Sequence, residues 1–343
     1  MAESPRLTEV GGVASAAPPT GRRRATILDV AAAVGVSRQT VSRAMNDMPG
    51  ISAETRRRVL EAANELSYRP SRFGRGLVTG GERQLGLVVS DLRNPYSPEL
   101  AAAIVRHAAE VGWTVSLVDI GLAGSADRLL NSLHAQADVV VGYLGQWALG
   151  WETRFGATPL IRLDHDADSP HPGVLLDPAT AIDDLAAHLV EADTRRPVVL
   201  DASEPHAPSG RGRAMLAALE ARGLAPELVH ATDSTPEHAA AVAAQIIRRA
   251  AAPDAILAFN DLMAFGVLSA CRHAGLDVPN DIRVTGVDGL AIGTLVAPTL
   301  TSLAVDFEEV ARRVLELAVA LADGGSEDLQ RVVHHRLVLR ESA

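Results

Sequence analysis

Apolar and polar positions along the chain follow two different rhythms. Between 26 and about 67 the apolar residues recur at helical spacing in short bursts, each bounded by a capping residue or a breaker. Thr26-Ile27-Leu28-Asp29 has the form of a capping box, with Asp29 in place of the usual Glu or Gln. A short helix is then expected through Val30 and Ala31 to Gly35, which supplies a left-handed terminus. Ser37 can cap a second helix through Met45. Pro49-Gly50 breaks the chain, and Ser52 can cap a third helix in which Val59, Ala62, Ala63 and Leu66 make one apolar stripe.

From residue 84 onward the rhythm changes. Apolar runs that read as buried strands cover 85–89, 115–118, 139–144, 160–163, 198–200, 255–259 and 283–287. Ala- and Leu-rich helical stretches cover 97–110, 124–135, 179–191, 213–222, 236–250, 262–274 and 308–322. Strand–helix alternation of this extent predicts parallel sheets with helices on both faces. Such sheets hold ligands beyond the carboxyl ends of their strands, so the residue after each strand is the one to inspect.

Composition divides the chain at the same place. The 343 residues are 47% hydrophobic and 22% charged, as in an ordinary globular protein of more than one domain. The net charge of −10 alone would argue against a nucleic-acid partner. Residues 22–80, however, hold 11 Arg against 5 acids, a surplus of +6, whereas 81–343 carry −15. A basic segment attached to an acidic body points to a nucleic-acid module. Residues 1–21, rich in Ala, Gly, Ser and Pro, are expected to be a disordered tail.

Whole classes fall away. Cys271 is the only cysteine, which excludes an intramolecular disulfide framework and a Cys-rich zinc site, and its place in a helix makes it a core residue. There is no apolar run of membrane-spanning length and no secretory signal pattern, so no membrane partner is expected and a cytoplasmic location is. The sequence has no Gly-x-Gly-x-x-Gly after the first strand, no P-loop and no Gly-x-Ser-x-Gly elbow, so neither an enzyme nor a cofactor is expected. His334 and His335 are adjacent in an expected strand and point to opposite faces, unlike metal ligands. Trp147 and Trp151 read as packing residues.

In the basic segment, two short helices joined by a glycine turn have helix–turn–helix form. Arg38, Gln39, Ser42 and Arg43 share the outer face of the second helix. Arg can bridge guanine O6 and N7, and Gln can bridge adenine N6 and N7. Ser37 and Thr40 suit phosphates, which set register without reading sequence. On this pattern alone a small helical subdomain with a solvated Arg/Gln face is the alternative.

The residues Asp29-Val-Ala, Gly35-Val-Ser, Thr40-Val-Ser-Arg, Asn46, Ser52 through Arg56 and Asn64-Glu-Leu-x-Tyr-Arg-Pro resemble the headpiece of the lactose-repressor (LacI/GalR) family of bacterial transcription regulators, continuously from 26 to about 77. The resemblance implies that Arg38, Gln39 and Arg43 contact operator bases. It also implies that the segment after Pro70 is a hinge helix that folds on DNA, with Leu77 as the residue wedged into the minor groove. Ser71, Gly74 and Gly76 depart from the usual Asn and Ala pattern. Each glycine costs about 0.5–1 kcal/mol of helix stability, so this hinge is expected to need DNA and dimer contacts to fold.

The acidic body resembles periplasmic sugar-binding proteins and the regulator cores related to them. The likeness rests on Asn94-Pro95-Tyr96, Leu163-Asp164, Arg211, Phe259-Asn260-Asp261, Gly286-Val287-Asp288 and Pro298-x-Leu300-Thr301. By that resemblance Asn94, Tyr96, Asp164, Arg211, Asn260, Asp288 and Phe307 contact an effector, a sugar or related polar metabolite. His165, Ser97 and Val305 replace Arg, an aromatic and Gln that are common in sugar-binding relatives.

The expected architecture is an all-α helix-turn-helix headpiece plus an α/β periplasmic-binding-protein-like core of two doubly wound parallel-sheet subdomains. The boundaries expected are a tail at 1–21, a DNA-binding domain at 22–69, a hinge helix and linker at 70–83 and a core at 84–343. Within the core, the N-subdomain takes about 84–176 plus 306–326 and the C-subdomain about 177–303 plus 328–343. The expected function is that of a transcription regulator, a repressor acting as a homodimer on a pseudo-palindromic DNA operator under allosteric control. With no heptad tail after the last strand, a dimer is expected over a tetramer. The competing reading is a stand-alone sugar-binding protein.

Overall fold

The computed structural model describes residues 27–45, 50–66, 83–121, 125–151, 158–163, 171–203, 208–325 and 329–343. They belong to two compact units, one within Met1–Gly81 and one within Glu82–Ala343. Thr26, Asn46, Leu77 and the whole expected hinge, Asp164 and His165 lie outside the described residues.

The first unit is a three-helix cluster: α1 (Ile27–Val34), α2 (Arg38–Met45) and α3 (Ala53–Glu65). Val30, Val34, Val41, Ala44, Val59 and Ala63 are buried together at its centre. Leu66, expected to extend the stripe, is instead 39% exposed because α3 ends one residue before it. Gly35 turns the chain with φ +72°, and Val36 N–H donates to Ala31 O at 3.1 Å, the 6→1 bond of a glycine-terminated helix. Arg58 donates to Val34 O at 3.1 Å, so α3 covers a carbonyl that the end of α1 leaves open.

The second unit contains two six-stranded sheets. The first lobe's sheet has the order β11-β5-β4-β3-β1-β2 and is parallel throughout. Its strands are β1 (Arg83–Val89), β2 (Trp113–Asp119), β3 (Val139–Gly142), β4 (Leu160–Leu163), β5 (Gly173–Asp177) and β11 (Gln330–His334). The second lobe's sheet has the order β12-β10-β9-β8-β6-β7. Its strands are β6 (Pro197–Ala202), β7 (Glu227–Ala231), β8 (Ala255–Ala258), β9 (Arg283–Asp288), β10 (Thr301–Ala304) and β12 (Arg336–Val338). Only the β10–β12 pair in this sheet is antiparallel.

Helices α4 (Tyr96–Glu110), α5 (Ala126–His134) and α10 (Phe307–Ala322) belong to the first lobe. Helices α6 (Ala179–Glu191), α7 (Gly210–Ala221), α8 (Pro236–Ile246) and α9 (Asp261–Ala274) belong to the second. Leu100 and Ile104 of α4 pack with Val310 and Val314 of α10 against Leu85, Leu87 and Val141 of the first sheet. Cys271 is buried in the second lobe beside Met263 and Val267, and burial pushes its thiol up to about 11. Trp151 is buried in the first lobe and donates through Nε1 to Thr158 O at 2.8 Å.

The chain passes between the lobes three times, at 177–179, 304–306 and 334–336. The last passage falls later than the boundary expected near 328, because β11 pairs with β5 in the first sheet before β12 joins the second.

Candidate functional site

On the helical unit, Ser37 caps α2: its Oγ accepts from Thr40 N at 3.1 Å and shares a 2.9 Å hydrogen bond with Thr40 Oγ1. Ser52 caps α3 in the same way, accepting from Thr55 N at 3.1 Å. Both caps line one open groove, together with Gln39 and Arg43. Two helix N-termini, each ringed by hydroxyls, therefore face one surface, which favours an anion there. Val41 and Ala44 are buried, so α2 turns its other side outward: Ser37, Arg38 and Gln39 are exposed, and Thr40, Ser42 and Arg43 are half-exposed. The six expected DNA-contact residues of this unit thus share one exposed side of α2 and its cap. On α3, Arg57 is held between Glu54 at 2.7 Å and Glu61 at 2.8 Å, and the Arg57 side chain holds the Glu54 carboxyl below its usual range. Arg57 is therefore occupied within its own helix.

In the two-lobed unit the expected ligand residues cluster at carboxyl ends of strands. After β1, Asn94 Oδ1 accepts from Tyr96 N at 3.1 Å, a side-chain turn that launches α4. The Tyr96 ring meets Phe307 edge to face at 5.1 Å and Tyr143 at 5.9 Å, and the two tyrosine hydroxyls are hydrogen-bonded. An aromatic wall therefore forms from the ends of β1 and β3 and the start of α10. Tyr143 was not expected in it. The signal was present, since Tyr143 directly follows β3, but the apolar run 139–144 reads as uninterrupted strand.

On the second lobe, Arg211 Nη1 donates to Phe259 O at 2.7 Å and its guanidinium lies 4.7 Å from the Phe259 ring centroid. Asn260 is 4% exposed and caps α9, its Oδ1 accepting from Met263 N at 2.8 Å. Asp288 ends β9 with φ +120° and is 5% exposed. The structure brings Tyr96 and Phe307 into contact and sets Arg211 against the Phe259–Asn260 turn. Asn94 lies in the turn between β1 and α4, and Asp288 ends β9.

Two buried carboxylates, neither among the expected ligand residues, shape this edge. Asp201 accepts from Ser209 N at 2.8 Å, Ser209 Oγ at 2.6 Å and Ser203 Oγ at 2.7 Å. Ser209 in turn caps α7, so Asp201 fixes the helix start that carries Arg211. Asp261 accepts from Ser302 Oγ at 2.6 Å and Leu290 N at 2.7 Å, joining α9 to the ends of β9 and β10. Burial outweighs these bonds and pushes its carboxyl up to about 6. Gly286 is required here: a Cβ would stand 2.2 Å from Asp261 Oδ1. Among the described residues no group of three potential ligands could hold a metal ion, and no helix is long and apolar enough to cross a membrane.

Comparison with known proteins covers nearly the whole chain. Residues 26–71 match a sequence family described as bacterial regulatory proteins, lacI family, and residues 186–343 match a periplasmic binding protein-like domain. The chain is 27% identical over 330 residues to the HTH-type transcriptional repressor PurR of Pasteurella multocida (strain Pm70), covering 93% of this chain and 98% of that one. A LacI family transcriptional regulator from Arthrobacter sp. FB24, solved in complex with lactose, is 36% identical with a TM-score of 0.70, over 76% of this chain and 99% of its own. The lac repressor dimer bound to operator and the anti-inducer ONPF is 25% identical with a TM-score of 0.68, over 93% of this chain and 99% of its own.

Proposed function

Because the chain belongs to the LacI family of bacterial transcription regulators, we propose that it is a repressor that binds a pseudo-palindromic DNA operator as a homodimer and releases or tightens its hold when a small polar effector, a sugar, enters the core. The observation that carries this reading is the joining, in one chain, of an exposed Arg38/Gln39 helix face to a two-lobed core with polar and aromatic groups at its strand ends.

In this reading Arg38, Gln39, Ser42 and Arg43 meet base edges in the major groove. Ser37 and Thr40 meet phosphate at the N-terminus of α2. Leu77 enters the minor groove at the centre of the site. In the core, Asn94, Tyr96, Asp164, Arg211, Asn260, Asp288 and Phe307 surround the effector. Carboxylate, amide and guanidinium groups beside aromatic faces suit hydroxyls, each of which donates and accepts. The lactose bound by the Arthrobacter relative and the operator bound by the lac repressor dimer support the two ligand classes. The effector acts by binding one arrangement of the lobes better than the other, and operator affinity shifts by that difference. In this reading the core acts as a sensor.

The test is selection of random duplexes by the full chain, followed by gel-shift titration with and without a sugar panel that includes lactose. Enrichment of an inverted repeat whose affinity changes with one of the sugars is the expected result. Failure to enrich any sequence would overturn the DNA-reading assignment; an operator indifferent to every sugar would overturn the effector class alone.

A further inference from the structure

The third passage between the lobes carries a group that nothing above uses. His334 ends β11 opposite Asp177, and Arg336 begins β12 opposite Ala304. Between them His335 donates its backbone N–H to Asp177 O at 2.9 Å, tying the third passage to the first. Asp177 is the carboxyl end of β5 and Ala304 that of β10. His335 therefore stands where the carboxyl edges of both sheets are bridged, the edge at which open α/β sheets take ligands.

The His335 side chain is only 6% exposed, and neither Nδ1 nor Nε2 has a hydrogen-bond partner. A buried imidazole always carries at least one N–H, and a native fold seldom leaves such a group unsatisfied without a use for it. His188, Thr194 and Thr285 also have an unpartnered buried atom, but the first two sit at the end of α6 and in the turn beyond it, at the opposite edge of the sheet, and Thr285 lies within β9. Among the described residues, the charged and titratable groups that act on the ring are Arg211, Asp177 and His334. Burial first, and the positive charge of Arg211 second, push the imidazole down to about 4, so at neutral pH it holds one donor and one acceptor. Arg211 is itself fixed on Phe259 O, beside the Asn260 cap.

We propose that His335 is an effector-contact residue, its ring closing a hydrogen bond with a hydroxyl of a neutral polyhydroxylated ligand that Arg211 also holds. A hydroxyl matches the neutral ring because both donate and accept. A cationic ligand would meet the Arg211 charge, and an anionic one would draw a proton onto the ring. The inference deepens the sugar reading above and rests on it for the class of ligand.

The test uses the full chain in two arms. Without ligand, His335→Leu removes an unpaired buried polar group at similar volume, and thermal unfolding should move upward by about 2 °C or more, whereas His335→Gln should not gain. A downward shift for His335→Leu with none for His335→Gln would overturn the proposal, since the ring would then have a structural partner. With lactose as the probe, calorimetry at pH 7.5 should show affinity falling about 3- to 10-fold in His335→Leu and recovering in His335→Gln. Equal affinity in wild type and His335→Leu overturns the contact. Binding accompanied by proton uptake overturns the neutral hydroxyl partner. If wild type does not bind lactose or any sugar of the panel, the sugar class falls, and the ligand-free arm still decides whether the ring is kept for a ligand.

Discussion

At the residue scale, exposure separates side chains held for the fold from those offered to a partner. Arg43 lies half-exposed on the groove shared by both capped helices, whereas Arg57 is clamped by two glutamates of its own helix. Arg43→Ala is expected to lower affinity for the selected operator by about 1–3 kcal/mol and to relax preference at one base position. Arg57→Ala should change affinity little; quantitative gel shifts against the selected site and a base-substituted set measure both. The two buried titratable groups act oppositely on stability. His335 titrates near 4 in the folded chain and near 6.5 unfolded, so the unfolded chain binds the extra proton and stability falls as pH drops from about 6.5 to 4. Asp261 titrates near 6 folded and near 3.8 unfolded, so the folded chain holds the extra proton and stability rises as pH drops from about 6 to 3.8. Urea unfolding at pH 7 and pH 5 should therefore show His335→Leu gaining stability on acidification relative to wild type, and Asp261→Asn losing it. Neither group was legible in the sequence as a site residue. Asp261 follows a residue that caps a helix, and His335 reads as the neighbour of His334 in one strand, pointing to the opposite face, whereas it lies between β11 and β12, so only the folded chain reveals what surrounds them.

At the element scale, each α-helix of the core among the described residues falls within a few residues of its expected place, because such helices carry a periodic apolar face. Strands were harder to read. β5, β7 and β10 were not among the expected runs. β7 is an edge strand with only Ala231 buried, and β10 begins with Thr301 and Ser302, fully buried hydroxyls that read as loop residues. Their burial is tolerated because Thr301 Oγ1 donates to Arg340 O at 3.2 Å and accepts from Arg340 N at 2.8 Å, and Ser302 Oγ donates to Asp261. These partners lie 39 and 41 residues away in sequence, beyond any local pattern. In the helical unit, by contrast, caps and breakers are local and the three helices were legible. The turn between α1 and α2 depends on the left-handed Gly35, so Gly35→Ala should destabilise that unit by about 1 kcal/mol. Its space is open, so the penalty is conformational and not steric. Amide exchange at Val41 and Val59 would register it as faster opening, and unchanged protection would contradict the argument.

At the scale of the whole molecule, charge is divided by task. The +6 carried by residues 22–80 doubles in a homodimer, so operator binding should weaken steeply with salt. A log–log slope of about −5 or steeper is expected by fluorescence anisotropy, and a slope near zero would contradict the reading. Within the core, Ala291 N–H donates to Glu99 Oε1 at 3.2 Å, joining α4 of the first lobe to the turn after β9 of the second. Removing it with Glu99→Ala should weaken closure by about 1 kcal/mol and raise the radius of gyration of the ligand-free chain in small-angle scattering. An unchanged radius would contradict a part for this bond in closure. Those passages also set a timetable for biosynthesis. The first lobe receives α10 and its outer strand β11 only after all of the second lobe except β12 has been made, and the second lobe receives β12 a few residues later. On the ribosome, Leu100 and Ile104 therefore wait uncovered for partners about 200 residues downstream. Neither half can finish early: the sensor becomes whole only as its last strands emerge, by which time the DNA-reading helices have long since had the chance to fold.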